Sequence, residues 1–421
     1  MKYLSIPVSA LVISALLFSA CSVKKQNTAE NAGADSTNVH QNGFNADVEF
    51  LKKYTDIMIL QDSTGQSKIA VSPALQGRVM TSTSQGDTGP GYGWINRDAF
   101  LSGDTSSHFN AFGGEDRFWL GPEGGQFAIY FAPGKEFSLD NWHVPRLIDL
   151  EPFEVAAATP TEIVFTRNAE IVNYSGTPFN IAIERKVRLI DQRHIPDHLG
   201  INDATGLSMV AYETINTLKN TGDKPWRKQT GLLSVWILGM FTPSDNTTVI
   251  IPYRGKADSV SHVVNDRYFG KVPEHRLKID DKAVYFSGDG KHRSKIGLSP
   301  QRSTEWLGSY DADNGVLTLV KYNKPEGVTD YVNSFWEIQK QPYGGDAVNA
   351  YNDGPPSPGV KPMGPFYELE TSSPARELEP GQSVTHIHTT FHIKGLPEKL
   401  DEIMTNVLGV DSKRVTGMLS R

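Results

Sequence analysis

The feature that most constrains this chain is a succession of short segments with apolar residues at every second position, running from Asp56 to Ile393. They are aromatic and β-branched, and Gly, Pro, Asn and Asp separate them, which is the composition of strands joined by turns. Segments 56–60, 68–71, 77–81, 128–131, 162–167, 179–190, 208–218, 232–241, 247–252, 282–286, 297–298, 306–310, 316–322, 332–339, 366–371 and 384–393 all read this way. Strands do not alternate with helices, which argues against a doubly wound α/β fold. No repeat of roughly 40–50 residues recurs, which argues against a propeller. So many strands without a linker predict an all-β fold, a single large sandwich of two layers. Helices are expected only at the ends. Val48, Leu51 and Tyr54 share one face of a short helix begun at Asn45, and Leu400, Ile403, Met404, Val407 and Leu408 share one face of a C-terminal helix after Pro397.

The N-terminus has its own logic. Lys2 is followed by an apolar run from Ile6 to Phe18 and then by Ser19-Ala20-Cys21, a secretory signal whose apolar run is short for a membrane span. Cys21 is the only cysteine in 421 residues. Leu17-Phe18-Ser19-Ala20-Cys21 resembles a bacterial lipobox, which implies a diacylglyceryl group on the Cys21 sulfur; the alternative is a plain signal peptide with a chance cysteine. An exported chain without another cysteine has neither an internal disulfide nor thiol catalysis. A net charge of −7 and a pI near 5.9 argue against nucleic acid or an anionic membrane surface as the main partner. Membrane contact is expected through the lipid alone, and Ser22-Val23-Lys24-Lys25 favours an anchor facing the periplasm. The expected organisation is a signal peptide over 1–21, a flexible tether over 22–43, a β domain over 44–395 and a helical extension over 396–421.

Three stretches carry candidate chemistry. Asn110–Gln126 sets Glu115, Asp116, Arg117, Glu123 and Gln126 among five glycines, with Phe118 and Trp119 between them. Two readings fit: a polar site on a rigid frame, or a buried Arg–carboxylate lock pinning a turn-rich crossing. Asn333–Glu370 ends an expected strand at Trp336 and Glu337. It then crowds Tyr343, Asp346, Asn349, Tyr351, Asn352 and Asp353 into a Gly/Pro-rich excursion. Amides and carboxylates beside flat rings suit sugars, whose hydroxyls take paired hydrogen bonds while their C–H faces stack on aromatic rings; an ordinary loop held by Asx turns is the plainer alternative. In Thr385–Ile393, His386, His388 and His392 fall on one strand face opposite Ile387, Phe391 and Ile393. The apolar set is expected in the core and the histidines outside it. If this strand paired with the one holding Glu368 and Glu370, imidazoles and carboxylates would share a surface and supply an acid and a base.

At these residues the sequence acquires a likeness. Segments AFGGEDRFWLGPEGGQF, NSFWEIQKQPYGGDAVNAYNDGPP, GPFYELETSSPA and LEPGQSVTHIHTTFHIKG resemble a domain family of unknown function in secreted Bacteroidota lipoproteins. That family is similar in turn to the galactose mutarotase-like superfamily, through GRVMTSTS (Gly77–Ser84), ETINTLKNTGDKPW (Glu213–Trp226) and SVWILGMF (Ser234–Phe241). The resemblance spans Phe44 to Gly395. It implies a β-supersandwich with a sugar-facing concave surface. It delivers no catalytic residue, because the Asn-His-x-Tyr-Phe-Asn segment of mutarotases is missing here, and the superfamily fold also hosts lyases, glycosidases and non-catalytic domains.

The sequence therefore predicts a lipid-anchored periplasmic carbohydrate-binding protein whose enzymatic version is aldose epimerase-like. His386 or His388 would be the acid, and Glu368, Glu115 or Glu123 the base. Arg117 would orient a hydroxyl or a carboxylate, with Asp116 as its structural partner. Trp119, Gln126, Arg78, His108, Tyr351, Asn352 and Asp353 would contact the sugar. No cofactor or metal is expected, although a third reading is a metal-dependent hydrolase using His386, His388 and a carboxylate. The rival from another class is a non-catalytic glycan-binding or scaffolding lipoprotein. The discriminating geometry is whether Glu115, Arg117, Glu123, Asp353, Glu368 and His388 converge on one open cleft.

Overall fold

The structure is a computed structural model that describes residues 43–257 and 263–419. The signal run, Cys21 and nearly all of the expected tether lie outside the described residues. Eighteen strands are described: β1 Met58–Gln61, β2 Lys68–Ser72, β3 Arg78–Thr83, β4 Arg117–Gly121, β5 Glu154–Ala158, β6 Glu162–Val172, β7 Pro178–Leu189, β8 Ser208–Asn220, β9 Ser234–Phe241, β10 Thr247–Pro252, β11 Leu277–Ile279, β12 Ala283–Ser287, β13 Ser294–Leu298, β14 Trp306–Asp311, β15 Val316–Tyr322, β16 Val348–Asn352, β17 Tyr367–Ser372 and β18 Ser383–Lys394. They form a ten-stranded sheet in the order β11-β12-β10-β14-β15-β18-β8-β7-β6-β5, a five-stranded sheet in the order β13-β16-β17-β9-β4, and a three-stranded sheet β1-β2-β3.

Alternation makes the sandwich. In β7, Phe179, Ile181, Ile183, Arg185, Val187 and Leu189 are buried while the residues alternating with them are partly or fully exposed, as expected of a sheet with one wet face. The inward faces of the two large sheets meet in two clusters. One joins Phe118, Leu120, Val235 and Ile237 to Phe165, Val187 and Val210. The other joins Ile296, Leu298, Val348 and Leu369 to Val249, Ile251 and Val320. The C-terminal helices, Pro397–Leu408 and Ser412–Met418, cover the other face of the ten-stranded sheet: Leu400, Ile403, Met404, Leu408 and Val415 pack with Met209, Leu317, Phe391 and Ile393. The N-terminal helix is Gly43–Leu51, and it buries Phe44, Val48 and Leu51.

That helical cover reverses one expectation. Phe391 and Ile393 of β18 face the helices, and the face carrying His386, His388 and His392 looks into the layer between the sheets, where all three are buried. Two other segments differ. Residues 128–131 and 332–339 are loops, not strands; their aromatic residues pack against the core from turns.

Candidate functional site

The outward face of the five-stranded sheet is the floor of the largest cleft described. Its strand register assembles that floor row by row. Lys295 of β13 faces Tyr351 of β16, which faces Glu368 of β17, which faces Met240 of β9. The next row is Asn349, Glu370, Leu238 and Arg117, and the third is Ser372, Trp236 and Trp119. Because successive side chains leave a strand on opposite sides, these residues share one face, while Ile296, Leu369, Ile237 and Phe118 between them enter the sandwich. Loops carrying Phe109, Glu123, Trp142, Tyr268, Phe269, Phe335, Trp336 and Asp353 raise walls around the floor, enclosing about 650 Å³. A water-sized recess of about 20 Å³ lies at its deep end, between Gly121, Glu123, Trp236, Lys295 and Asn349.

Two glycines seat one wall. A Cβ at Gly124 would lie 2.3 Å from the Phe335 carbonyl oxygen, and one at Gly125, whose φ is +84°, would lie 2.6 Å from the Gln339 side chain. Only glycine lets the turn after β4 approach the 333–339 loop so closely. Gln126 then ties the two together: its Nε2 donates to Gln339 O and its Oε1 accepts from Gln339 N, both at 2.9 Å.

The floor is polar and buried. Arg117 donates through Nη2 to Glu368 Oε1, and its guanidinium lies 5.0 Å from the Trp119 ring centre. Lys295 Nζ and Trp236 Nε1 each donate to Glu370 Oε2 at 2.9 Å, and Lys295 also sits 4.7 Å over the Trp236 ring. Tyr351 Oη donates to Asp353 Oδ1 at 2.7 Å, and Gly364 N to Asp353 Oδ2 at 2.9 Å. Burial pushes the Glu368 carboxyl up to about 7; the nearby Arg117 opposes this and the charge of Glu370 adds to it. Burial likewise raises Glu123, against the pull of Lys295 and the Trp336 indole, and raises Asp353. Burial works against the Lys295 ammonium, but Glu370 and Glu123 outweigh it and its pKa rises. Four buried atoms here have no protein partner: Arg117 Nε and Nη1, Trp119 Nε1 and Glu370 Oε1. Buried donors and acceptors in folded proteins nearly always have partners, so these atoms, covered within the floor, are its unused hydrogen-bonding capacity.

Arg117, Trp119, Glu123, Tyr351, Asp353 and Glu368 thus meet in one cleft. The other predicted residues do not. Glu115 is sealed between the sheets, where its carboxylate accepts from Ser82, from Tyr212 at 3.1 Å and contacts His392 Nε2 at 3.1 Å. Asp116 pairs with Arg185 at 2.7 Å and accepts from Thr214 at 3.0 Å. The expected Asp116–Arg117 partnership does not form, because neighbours near the start of a strand point to opposite faces. His386 Nε2 and His388 Nδ1 both reach Thr371 Oγ1, at 2.7 and 2.8 Å. Burial, with the neighbouring His388 adding to it, lowers His386 to about 3, and burial lowers His388 to about 4. β17 and β18 lie in different sheets, so the surface expected to join these histidines to Glu368 and Glu370 is absent: Thr371 faces the histidines and its neighbours face the cleft. Arg78 donates to Gly113 O and Gln76. His108 bonds Trp142 O at 2.7 Å and stacks on His143. Asn352 turns inward to Asp289 and His292 O. Each of these three holds a loop and does not line the cleft. Among the described residues, no histidine lines it, and no group of three or more His, Cys, Asp or Glu side chains is placed to hold a metal ion.

The profile of a family of unknown function, DUF6786, matches residues 42–419. The chain belongs to this family. No curated protein matches it by sequence. Among solved structures, the Slr1438 protein of Synechocystis sp. PCC 6803 superposes with a TM-score of 0.50 at 13% identity, over 82% of this chain and 98% of that one. A galactose mutarotase-like protein from Lactobacillus casei ATCC 334 gives 0.46 at 11% identity, over 80% and 100%. A galactose mutarotase related enzyme from Lactobacillus acidophilus gives 0.42 at 11%, over 81% and 97%. The DUF6786 chain is an all-β sandwich with helices at its ends, and its structural neighbours include galactose mutarotase-like proteins.

Several lining residues of this DUF6786 chain escaped the sequence reading. Trp236 sits in an apolar strand and reads as core, Phe109 and Tyr268 read as ordinary loop aromatics, and Phe335 reads as part of the expected strand 332–339. Lys295 carried the clearest missed signal, a lysine at the second position of a five-residue strand, Ser294–Leu298, that is buried throughout. Such a lysine demands a buried carboxylate, and Glu370 is that group.

Proposed function

We propose that the cleft binds a carbohydrate and that Glu368 and Glu123 transfer protons at its anomeric centre. We place the protein outside the cytoplasm, held to the membrane through a lipid on Cys21 and facing the periplasm. One observation carries the reading: a floor of paired, buried charges that still leaves Arg117 Nη1, Trp119 Nε1 and Glu370 Oε1 unpartnered, enclosed by aromatic walls. Sugar hydroxyls both donate and accept, and sugar C–H faces stack on flat rings. With no imidazole in the cleft, two carboxylates take the acid and base roles. Burial raises both carboxyls; we assign Glu368 as the acid and Glu123, whose charged form Lys295 and the Trp336 indole support, as the base. In hemiacetal opening, Glu123 takes the proton of the anomeric hydroxyl, the C–O bond to the ring oxygen breaks, and Glu368 protonates that oxygen. In hydrolysis, the same acid protonates the departing glycosidic oxygen while Glu123 takes a proton from the attacking water.

A non-catalytic version keeps the binding and drops the proton transfer; the engagement of Glu368 by Arg117 favours it. Calorimetry on a panel of monosaccharides and methyl glycosides, with mutarotation and 4-nitrophenol release measured on the same panel, tests both. Glu368→Gln and Glu123→Gln are expected to bind and not to turn over, and Trp236→Ala to lose binding. Wild-type protein that binds no member of the panel sinks the carbohydrate reading; binding without turnover sinks the catalytic part. Cys21→Ser is expected to move the protein from the membrane to the soluble fraction of cells.

A further inference from the structure

We infer that the carbohydrate taken by this cleft carries an apolar, ring-sized aglycone that rests at the mouth; the inference builds on the carbohydrate reading of the same site. The floor and the mouth differ in chemistry. Of the buried polar atoms without protein partners, Arg117 Nε and Nη1, Trp119 Nε1 and Glu370 Oε1 are at the floor, and Trp142 Nε1 is in a wall. At the mouth several polar groups already have company: Asp353 holds Tyr351 and Gly364, Arg293 lies 4.1 Å over the Phe269 ring, and Lys361 reaches Asp98 at 3.5 Å.

What the mouth has in excess is apolar surface. Leu139, Phe269 and Met363 line the cleft while 62%, 45% and 41% exposed. Ile338 and Val360, 64% and 48% exposed, neighbour the lining residues Glu337 and Lys361 on the same loops. Half of the ten large hydrophobic side chains exposed among the described residues therefore belong to loops around one opening. Scattered exposed hydrophobics need no explanation, but a cluster at the rim of a pocket marks a binding surface. The enclosed volume of about 650 Å³ belongs to the class of sites that enclose drug-sized ligands, more than one pyranose ring fills. The lining carries charges of both signs, Arg117, Arg293, Lys295 and Lys361 beside Glu123, Glu337, Asp353 and Glu368, with Glu370 in the floor, so neither sign dominates. A neutral glycoside, sugar inward and ring outward, satisfies both zones.

The test compares methyl glycosides with phenyl 1-thioglycosides of the same sugars, which are stable to hydrolysis, by calorimetry on the full-length protein. The expected result is phenyl binding at least about tenfold tighter than methyl binding for the sugar that binds best. That ratio should fall toward one in Phe269→Ala and Met363→Ala, whose side chains are exposed and whose loss does not threaten folding. A ratio near one in the wild type, with methyl binding intact, overturns the aglycone and leaves the carbohydrate reading standing. A ratio that survives both variants overturns it as well. If neither glycoside binds, or if thiophenol alone binds as tightly as the phenyl thioglycoside, both readings fall together.

Discussion

Replacing Arg185 with methionine should damage the fold while leaving the cleft intact. Arg185 and Asp116 are fully buried and face each other at 2.7 Å. The same guanidinium donates to Asn216 Oδ1 at 2.6 Å and to Gly77 O at 3.1 Å, so it joins β7, β8, the start of β3 and the segment entering β4. Methionine fills similar volume but leaves the Asp116 carboxylate buried with Thr214 Oγ1 as its remaining side-chain donor. Removing one partner of a buried ion pair typically costs about 3–5 kcal/mol, and the orphaned Asn216 and Gly77 oxygens push the figure toward the upper end. Adding Asp116→Asn removes the stranded charge, so the double variant should recover at least about 2 kcal/mol relative to Arg185→Met alone. Urea unfolding at neutral pH, followed by tryptophan fluorescence, measures both. A loss below about 1 kcal/mol in the single variant, or a double variant no more stable than the single, refutes the idea that this pair locks the two sheets. Folded Arg185→Met protein should keep its ligand affinity, since no atom of Arg185 reaches the cleft.

Acid should weaken the fold through β18. Burial lowers His386 to about 3 and His388 to about 4 from 6.5. The unfolded chain therefore takes up these protons first as the pH falls. Their contribution to stability is complete above pH 6.5 and is lost progressively as the pH drops through about 4. His386→Gln should flatten this part of the stability–pH curve, and an unchanged slope would count against buried neutral histidines. On the cleft side, Gly124→Val should weaken ligand binding at least about tenfold, because its Cβ would fall 2.3 Å from the Phe335 carbonyl oxygen and displace the loop bearing Trp336. Undiminished affinity in that variant would mean that the wall is not part of the site.

The fold was legible because period two is local physics: burial of one face shows in β6, in β7 and in β8 from Tyr212 onward. Where both faces are covered, the pattern blurs. β4, with Arg117 and Trp119 facing the cleft and Phe118 and Leu120 facing the core, contains no exposed residue and so reads as a motif, not as a strand. Residues 332–339 mislead in the opposite direction: Val332, Trp336 and Ile338 fall in a period-two register like a strand yet form a loop. For the site, a strand pattern says which residues share a face but not which side of the sheet holds the ligand. That is why Arg117, Trp119, Glu123, Tyr351, Asp353 and Glu368 came together in the structure while Glu115, His386 and His388 went to the other layer. The helices over the ten-stranded sheet decide this, and nothing in Thr385–Ile393 itself announces that its apolar face will be claimed by them.

The Asn110–Gln126 stretch contains both of the devices that its composition suggests, divided between the two faces of a sheet. Asp116 faces inward and meets Arg185 and Thr214; Arg117 faces outward, meets Glu368, and keeps two nitrogens without protein partners. Unpartnered polar atoms are not by themselves a site, and His388 makes the point. Its Nε2 also lacks a partner, but it is sealed between the sheets where no ligand can arrive, so it is a cost of burial. Arg117 itself lines a cleft of about 650 Å³, so a ligand can approach its covered nitrogens as it cannot approach His388. Access, not residue type, separates the lock from the site. It also directs the acid–base chemistry to carboxylates, because every imidazole of β18 lies on the sealed side.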